Sequence, residues 1–175
     1  DKEGKPLTIT LLAAKGSETA EAVLQQYISW WKEVGLNVQL LTGRTLDFQT
    51  YAEKLQKYAD DFDMWTGGFT IGYNPSPDGL YGPKAAFNFG HFVEPKHTAL
   101  LERISSNETF DENVKKQLFL EWQQYVQENP FAIPRFNTFE LTAVNKRVKK
   151  VNITPDKGTG WEEVELVADK GVAAK

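Results

Sequence analysis

The chain contains no cysteine, only two histidines and a single methionine in 175 residues. Without cysteine it can form no disulfide, no thiolate metal site and no cysteine nucleophile. No apolar run approaches the roughly 20 residues that a membrane-spanning helix needs, and no basic-then-apolar leader is present. These absences exclude several function classes and leave the compartment open.

The charge balance is mildly acidic, with a formal net charge of −4. A surface that binds nucleic acid normally carries a strong basic excess, so we expect no nucleic-acid partner. The basic cluster of Lys146, Arg147, Lys149 and Lys150 is isolated, and we interpret it as the solvated end of a strand.

Hydrophobic residues make up 41% of the chain, enough for one sizeable core in a chain of this length. The sequence opens with Asp-Lys-Glu-Gly-Lys-Pro and no methionine, as a linker inside a longer protein does. We therefore expect a fragment or a processed product.

The first 66 residues show strand and helix patterns in alternation. Leu7–Leu12 and Leu36–Leu40 alternate as strands, and between them an apolar stripe predicts a helix that Ser17 caps and Gly35 ends. A crossover of this length favours parallel pairing and a right-handed connection. Thr45 or Asp47 can cap a second helix, after which Phe62–Thr66 is predicted as a third strand.

The remaining chain is predicted to contain two helices and short strands. Pro95 suits a first helical position, and Thr109 with Glu112 forms a capping-box pair for a helix that Asn129-Pro130 stops. Further strands are predicted at Phe131–Phe136, at Phe139–Val144 and in the tail, where the apolar residues are Trp161, Val164, Leu166 and Val167.

The segment Phe62–Pro83 changes from an apolar strand to a loop of glycine, proline and aromatic residues. Gly67 and Gly68 allow another backbone to approach closely. The rings that offer flat apolar surface are Trp65, Phe69, Tyr73 and Tyr81. Because ligands of open α/β sheets bind at the carboxyl ends of the strands, this loop is the candidate ligand site, suited to a ligand recognised by its main chain.

Other chemistry-bearing residues favour structural roles. His91 and His97 match no standard metal spacing, and we expect His97 to be a satisfied, half-buried side chain on a helix face. Asp60, Asp61 and Asp63 fit a helix-to-strand turn. A hydrolase that uses Asp61, Asp63 and His91 is disfavoured because no nucleophile and base are paired, so we expect no enzyme and no cofactor.

A family resemblance rests on motifs that occur in a fixed order along the chain. They are GKPLTITLL at 4–12, WWKEVGLNVQL at 30–40, YAEKL at 51–55, DFDMWTGGF at 61–69, YNPSPD at 73–78, ENPFAIPRF at 128–136 and AVNKRVKKV at 143–151. In this order the chain resembles the C-terminal lobe of oligopeptide-binding proteins, the extracytoplasmic solute receptors of peptide ABC importers. Members of that family are much longer, so the N-terminal lobe, the signal and any lipid anchor are expected to lie outside this sequence.

The resemblance implies an α/β fold with a mixed, largely parallel sheet flanked by helices, one lobe of a periplasmic-binding-protein-like two-lobe receptor. Residues 1–150 are expected to form the lobe, and residues 151–175 a tail whose last strand returns toward the missing lobe. The implied partners are oligopeptides, the membrane permease subunits of the importer and the missing N-terminal lobe. The implied location is extracytoplasmic, as a cell-surface lipoprotein or a periplasmic protein.

The same resemblance implies that one segment binds the peptide backbone. Its candidate residues are Trp65, Thr66, Gly67, Gly68, Phe69, Thr70, Ile71 and Tyr73. Some relatives hold the peptide amino terminus with an acidic residue at the position of Gly72, and the carboxyl terminus with a basic residue at the position of Thr66. Neither charge is present here, so we expect peptide termini not to be clamped by this loop.

Two alternatives remain open at this point. Receptors of the same fold bind dipeptides, nickel complexes or sugars, and a single lobe can also serve as a signalling or partner-docking module.

Overall fold

The computed structural model describes residues 4, 7–57, 60–70, 76–137, 141–151 and 161–167. The chain divides into two compact units, residues 1–70 and residues 71–175. Among the described residues, no helix has both the length and the apolar character needed to cross a membrane.

The first unit is a three-stranded parallel sheet with two helices. Its elements are β1 (Thr8–Ala13), α1 (Glu18–Glu33), β2 (Asn37–Leu40), α2 (Phe48–Gln56) and β3 (Met64–Thr66). The strand order is β2-β1-β3, and β1 pairs in parallel with both neighbours. The mixed α/β architecture predicted from the sequence is confirmed.

Local sequence explains where these elements begin and end. The Ser17 hydroxyl accepts a hydrogen bond from the Ala20 amide at the start of α1, and the Asp47 carboxylate accepts one from the Thr50 amide at the start of α2. That second bond, with the Thr50 hydroxyl, lowers the pKa of Asp47. Gly35 follows α1 with a φ of 87°, a conformation that glycine adopts without strain.

The core of the first unit lies between the sheet and α1. Leu11, Ala13, Leu24 and Val38 form its buried centre. In such folds both faces of a parallel strand are covered by other elements. Side chains alternate between the two faces, and this explains why β1 ends in three consecutive buried residues, Leu11 to Ala13.

The second unit is mainly helical in its described part. It contains α3 (Asp78–Tyr81), α4 (Pro95–Ile104) and α5 (Glu112–Glu128), and then β4 (Val148–Lys149) and β5 (Glu165–Leu166). The two short strands pair antiparallel, so the strand predicted in the tail is present as β5. Leu100, Leu101, Ile104 and Leu118 are buried along α4 and α5.

Several predictions for the second unit are wrong. Asp111 caps α5, because its carboxylate accepts bonds from the Asn113 and Val114 amides, whereas Thr109 lies in a preceding 3-10 turn. Residues 131–136 form no strand. The Phe131 ring instead stacks on Phe92 with centroids 4.3 Å apart, and Pro134 lacks the amide that a ladder needs. Of the strand predicted at 139–144, residues 139 and 140 lie outside the described residues, and 141–144 have no regular structure.

A further wrong prediction concerns His97, which is 1% exposed and not half-buried. Its Nε2 accepts a hydrogen bond from the Trp122 indole N–H at 3.1 Å, and its Nδ1 has no partner within the described parts of the chain. Burial lowers the pKa of His97, and the nearby Glu94 carboxylate opposes that effect. A neutral imidazole inside an aromatic cluster follows from this arrangement.

Candidate functional site

The candidate segment leaves the carboxyl end of β3. Ala13 of β1 is in register with Thr66 of β3, and Leu11 of β1 with Leu40 of β2. Because all three strands are parallel, the connections that follow them emerge at one edge of the sheet. The Gly67–Thr70 segment is therefore placed where the sequence predicted a ligand site.

The neighbouring connections at this edge are held together by backbone and side-chain bonds. The Lys15 amide donates to the Leu46 carbonyl at 2.6 Å. The Glu21 carboxylate accepts from the Gly16 amide at 2.9 Å and from the Thr45 hydroxyl at 3.0 Å. These bonds tie the connection after β1 to the connection after β2 and give the edge a fixed frame.

Strand β3 is the last strand of this sheet, so one of its sides faces away from β1. The Asp63 amide donates to the Thr10 carbonyl at 2.9 Å. The Leu11 carbonyl accepts from the Leu41 amide on the β2 side, so the neighbouring residues Thr10 and Leu12 direct their backbone groups toward β3. Because Leu12 is in parallel register with Trp65, Met64 and Thr66 direct their backbone groups toward β1, and Trp65 directs its own toward the outer side. No other strand in the described residues pairs with that outer side.

The carbonyl of Thr66 accepts a hydrogen bond from a tyrosine of α2. The Tyr51 hydroxyl donates to that carbonyl at 3.0 Å. The Tyr51 side chain is 6% exposed, and burial raises its pKa to about 12. The phenol therefore stays protonated and remains a donor across the physiological pH range.

Gly67 and Gly68 have different surroundings although they are adjacent. A Cβ on Gly67 would lie 2.7 Å from the Tyr51 hydroxyl oxygen and 2.8 Å from the Trp65 ring. A Cβ on Gly68 would meet nothing within 4 Å. Gly67 is therefore required by the protein's own packing, whereas the space beside Gly68 is open to a ligand.

The Gly68 backbone is also available for pairing. Its amide and carbonyl make no hydrogen bond to any other residue that the structure describes. Residues 67–70 are exposed and form neither helix nor turn. An extended ligand backbone alongside Gly68 would find a donor and an acceptor that the described part of the fold leaves unused.

Aromatic surface borders the glycine pair. The Trp65 and Phe69 rings meet edge to face with centroids 6.3 Å apart. Phe69 is 38% exposed, which is high for a phenylalanine held against a tryptophan. These two rings, which precede and follow the glycine pair in the chain, provide apolar surface next to it.

The structure places most of the predicted site residues together. Trp65 and Thr66 end β3, and Gly67, Gly68, Phe69 and Thr70 follow directly. The predicted contacts of Ile71 and Tyr73, and the position of Gly72, lie outside the described residues.

Tyr81, which the sequence grouped with these rings, belongs to the second unit. There it stacks on Trp122 and meets the edge of Phe131. Burial in that cluster raises the pKa of Tyr81.

The acidic cluster before β3 is bonded to the fold. Asp61 pairs with Lys54, and Asp63 accepts from the Thr10 amide at 2.7 Å. Asp63 therefore anchors the start of β3 on β1 through both its amide and its carboxylate. The interpretation of these aspartates as part of a helix-to-strand turn agrees with these contacts.

Sequence reasoning missed Tyr51 as a site residue. Position 51 enters the family resemblance only within the YAEKL motif, and in the structure Tyr51 lies on the buried face of α2 together with Leu55. The available signal was chemical, because a buried tyrosine hydroxyl needs a partner and the YAEKL motif precedes the glycine pair along the chain.

The chain is similar in sequence to oligopeptide-binding proteins OppA of Lactococcus lactis. It is 31% identical over 174 residues to the protein of subsp. lactis strain IL1403, covering 97% of this chain and 29% of that protein. It is 30% identical over 114 residues to a protein of subsp. cremoris, covering 64% of this chain and 90% of that protein. The chain thus spans less than a third of the longer relative. No protein-family model matches it.

Solved structures give the same result for the fold. Lactococcal OppA, complexed with an endogenous peptide in the closed conformation, aligns with a TM-score of 0.70 and 28% identity over 75% of this chain and 25% of that chain. AppA from Bacillus subtilis in complex with a nonapeptide aligns with a TM-score of 0.68 and 16% identity over 96% of this chain and 33% of that chain. The second likeness shows the fold alone.

Proposed function

We propose, from the premise that this chain belongs to the family of oligopeptide-binding proteins, that it supplies one lobe of a receptor that binds oligopeptides in extended form. Residues 1–150 would form the α/β part of that lobe, with residues 151–175 as a tail. The relatives named above are oligopeptide-binding proteins, which supports a binding role for this chain in place of an enzymatic one.

One observation carries the proposal, namely the unpaired backbone of Gly68 directly beyond the carboxyl end of the edge strand β3. A Cβ on Gly68 would have no atom within 4 Å, and the adjacent Phe69 exposes apolar surface. An extended peptide can add to such an edge through main-chain hydrogen bonds, which give affinity without reading side chains. Trp65, Thr66, Gly67, Thr70, Ile71 and Tyr73 complete the proposed peptide-binding segment.

The proposed receptor delivers its peptide to the permease subunits of an ABC importer. Fold neighbours of this chain include a protein of Thermotoga maritima that belongs to an oligopeptide ABC transporter. The proposed location is extracytoplasmic, as a cell-surface lipoprotein or a periplasmic protein, and fractionation of cells that express the full-length protein tests it.

Peptide termini are proposed to remain free at this segment. Thr66 carries no charge, and its carbonyl already accepts the Tyr51 hydroxyl. Without a charged partner, a free terminus gains little over a blocked one. We expect acetylated and amidated peptides to bind within about twofold of the free peptides. Strong selectivity for free termini that is traced to this segment would contradict the proposal.

A single lobe is expected to bind weakly, because it supplies only part of the contact surface. If the two-lobe receptor binds at about 1 μM, near −8 kcal/mol, loss of half the contacts leaves about millimolar affinity. Submicromolar peptide affinity in residues 1–175 alone would contradict this expectation.

The test is the analysis of what the full-length receptor retains on purification. Mass spectrometry of the released ligand should show peptides of varied sequence, and a peptide pool should change the tryptophan fluorescence. Fold neighbours of this chain include a mannohexaose-bound protein and a nickel ABC transporter protein, so sugars and Ni²⁺ belong in the same titration. Retention of a sugar or a metal complex in place of peptides would overturn the peptide assignment.

A further inference from the structure

Helix α1 presents more apolar surface than the sheet covers. One face of the helix packs on the core through Leu24, Ile28 and Trp31. Beside it lies a second set of apolar residues at i, i+4, i+7 and i+11 spacing, which places them together on one face of a helix. This set, the α1 stripe, consists of Val23, Tyr27, Trp30 and the C-cap residue Val34.

The α1 stripe is exposed and carries no charge. Trp30 is 51% exposed and Val34 is 75% exposed. The Trp30 ring meets the half-buried Tyr27 ring edge to face, with centroids 5.6 Å apart. By helical spacing, the charged residues of α1 lie on other faces of the helix; they are Glu18, Glu21, Lys32 and Glu33. An exposed face that contains aromatic rings and no charge is typical of a surface that another polypeptide covers.

The exposed end of the α1 stripe lies far along the strand direction from the proposed peptide-binding segment. Helix α1 begins after the carboxyl end of β1 and ends just before the amino end of β2. Because β1 and β2 are parallel, the helix runs back toward the amino edge of the sheet, where Trp30 and Val34 therefore lie. The segment Gly67–Thr70 follows the carboxyl end of β3. A peptide bound at that segment is therefore not the expected occupant of the stripe.

The polypeptide enters this unit at the same amino edge. Leu7 directly precedes Thr8 of β1, and Leu36 directly precedes Asn37 of β2. Thr8 and Asn37 are in register, and both leucines are exposed. Exposed apolar side chains thus lie both at the end of α1 and where the chain enters β1. Since elements that follow one another in a chain are usually neighbours in space, the polypeptide that leads into β1 is the nearest candidate to cover them.

The length of the relatives supports the same occupant. The chain covers 29% of the longer lactococcal relative, so most of a receptor of that length lies outside the matched region. A segment with an apolar face of its own fits the α1 stripe, because the stripe offers no charged partner.

We propose that the α1 stripe is an internal docking surface of the full-length receptor, covered by apolar side chains of the polypeptide that precedes residue 1. This inference rests on one part of the proposed function, namely that the chain is one lobe of a longer receptor. It does not depend on the ligand, because the stripe and the proposed peptide-binding segment lie toward opposite edges of the sheet. The contact should therefore be present with and without peptide.

The test places the photo-crosslinking residue p-benzoylphenylalanine at position 30 of the full-length receptor, where an aromatic ring already stands. The receptor is irradiated with and without a peptide pool, and the crosslinked segments are identified by mass spectrometry. The expected product in both conditions is an intramolecular crosslink to a segment that precedes residue 1. The matched control carries the same residue at position 120, because Leu120 is also exposed but lies on α5 in the other compact unit. It should not crosslink to that segment.

A second measurement keeps the test decisive if the bulky residue at position 30 prevents folding. The sequence contains no cysteine, so Val34→Cys and Leu120→Cys each introduce a single thiol into this part of the receptor. A maleimide should label Val34→Cys about tenfold more slowly than Leu120→Cys in the folded full-length receptor, because a docked segment must open before the thiol reacts. In urea the two thiols should be labelled at equal rates.

The outcomes separate this inference from peptide binding. A crosslink from position 30 to the preceding polypeptide, together with slow labelling at position 34, supports the docking surface. Equal labelling rates in the folded receptor overturn it, and so does a crosslink that reaches only residues 71–175 or a second copy of the receptor, or the absence of any crosslink. A receptor that gives the expected crosslink but retains no peptide overturns the peptide assignment and leaves the docking surface intact.

Discussion

The adjacent glycines after β3 predict different losses of stability on substitution by alanine, because the new methyl group would have different neighbours at each position. In Gly67→Ala the new methyl group would sit 2.7 Å from the Tyr51 oxygen and 2.8 Å from the Trp65 ring. In Gly68→Ala it would meet nothing within 4 Å. Neither glycine has a left-handed φ, so alanine can adopt both backbone conformations.

The size of the effect follows from these contacts. Both substitutions reduce the conformational entropy of the unfolded chain to the same extent, which raises the free energy of unfolding by about 0.4–1 kcal/mol in each. Only Gly67→Ala must also lose the Tyr51 bond to Thr66, worth about 0.5–1.5 kcal/mol, or displace packed rings at about 1–3 kcal/mol. We therefore expect Gly67→Ala to be less stable than Gly68→Ala by about 1–3 kcal/mol.

Urea unfolding followed by tryptophan fluorescence measures this difference directly. Both variants are compared with the unmodified protein under the same conditions, so errors of extrapolation cancel in the comparison. Equal free energies of unfolding for the two alanine variants, within about 0.5 kcal/mol, would refute the packing argument at Gly67.

Three further predictions concern stability. Leu118→Ala should cost about 2–5 kcal/mol of unfolding free energy because Leu118 is 2% exposed, whereas Leu120→Ala, at a site 65% exposed on the same helix, should stay within about 0.5 kcal/mol; thermal melting that shows equal losses contradicts this. Ser17→Ala removes the acceptor of the Ala20 amide and should cost about 1 kcal/mol in urea unfolding, with Ser17→Asp restoring most of it. Burial lowers the pKa of His97, so as the pH falls the unfolded state takes up a proton before the folded state does, and the free energy of unfolding should decrease below about pH 6.5. His97→Gln should flatten that part of the curve of stability against pH. An unchanged slope would count against a buried neutral imidazole.

The elements that the sequence predicted well are those set by neighbours along the chain. Ser17 and Asp47 cap their helices because each needs only an amide three residues away. Pro95 begins α4 for a similarly local reason. The parallel sheet follows from the strand–helix–strand order, which leaves little choice of connection.

The errors and omissions come from contacts that are distant in sequence. Phe131 lies in an apolar run that resembles a strand, but its ring packs on Phe92 and Tyr81. These residues are far from Phe131 in the sequence, so no local pattern predicts that the ring contacts prevail over strand formation. His97 became fully buried because Trp122 on another helix supplies a donor to its Nε2.

The candidate site shows the same division. Its position at a strand's carboxyl end followed from local pattern, and so did the exposure of a glycine and aromatic segment. The sequence could not predict that Gly67 is tightly packed and Gly68 open, because this difference depends on where α2 places Tyr51.

The most direct test of peptide binding through the Gly68 backbone compares two leucine substitutions in the full-length receptor. Gly68→Leu fills the space proposed for the peptide, and Gly90→Leu places the same side chain at another glycine whose Cβ would meet nothing within 4 Å. The account predicts that peptides of varied sequence co-purify with the unmodified receptor and with Gly90→Leu but are lost from Gly68→Leu, with all three proteins equally folded. Retention of the same peptides by Gly68→Leu would contradict the account.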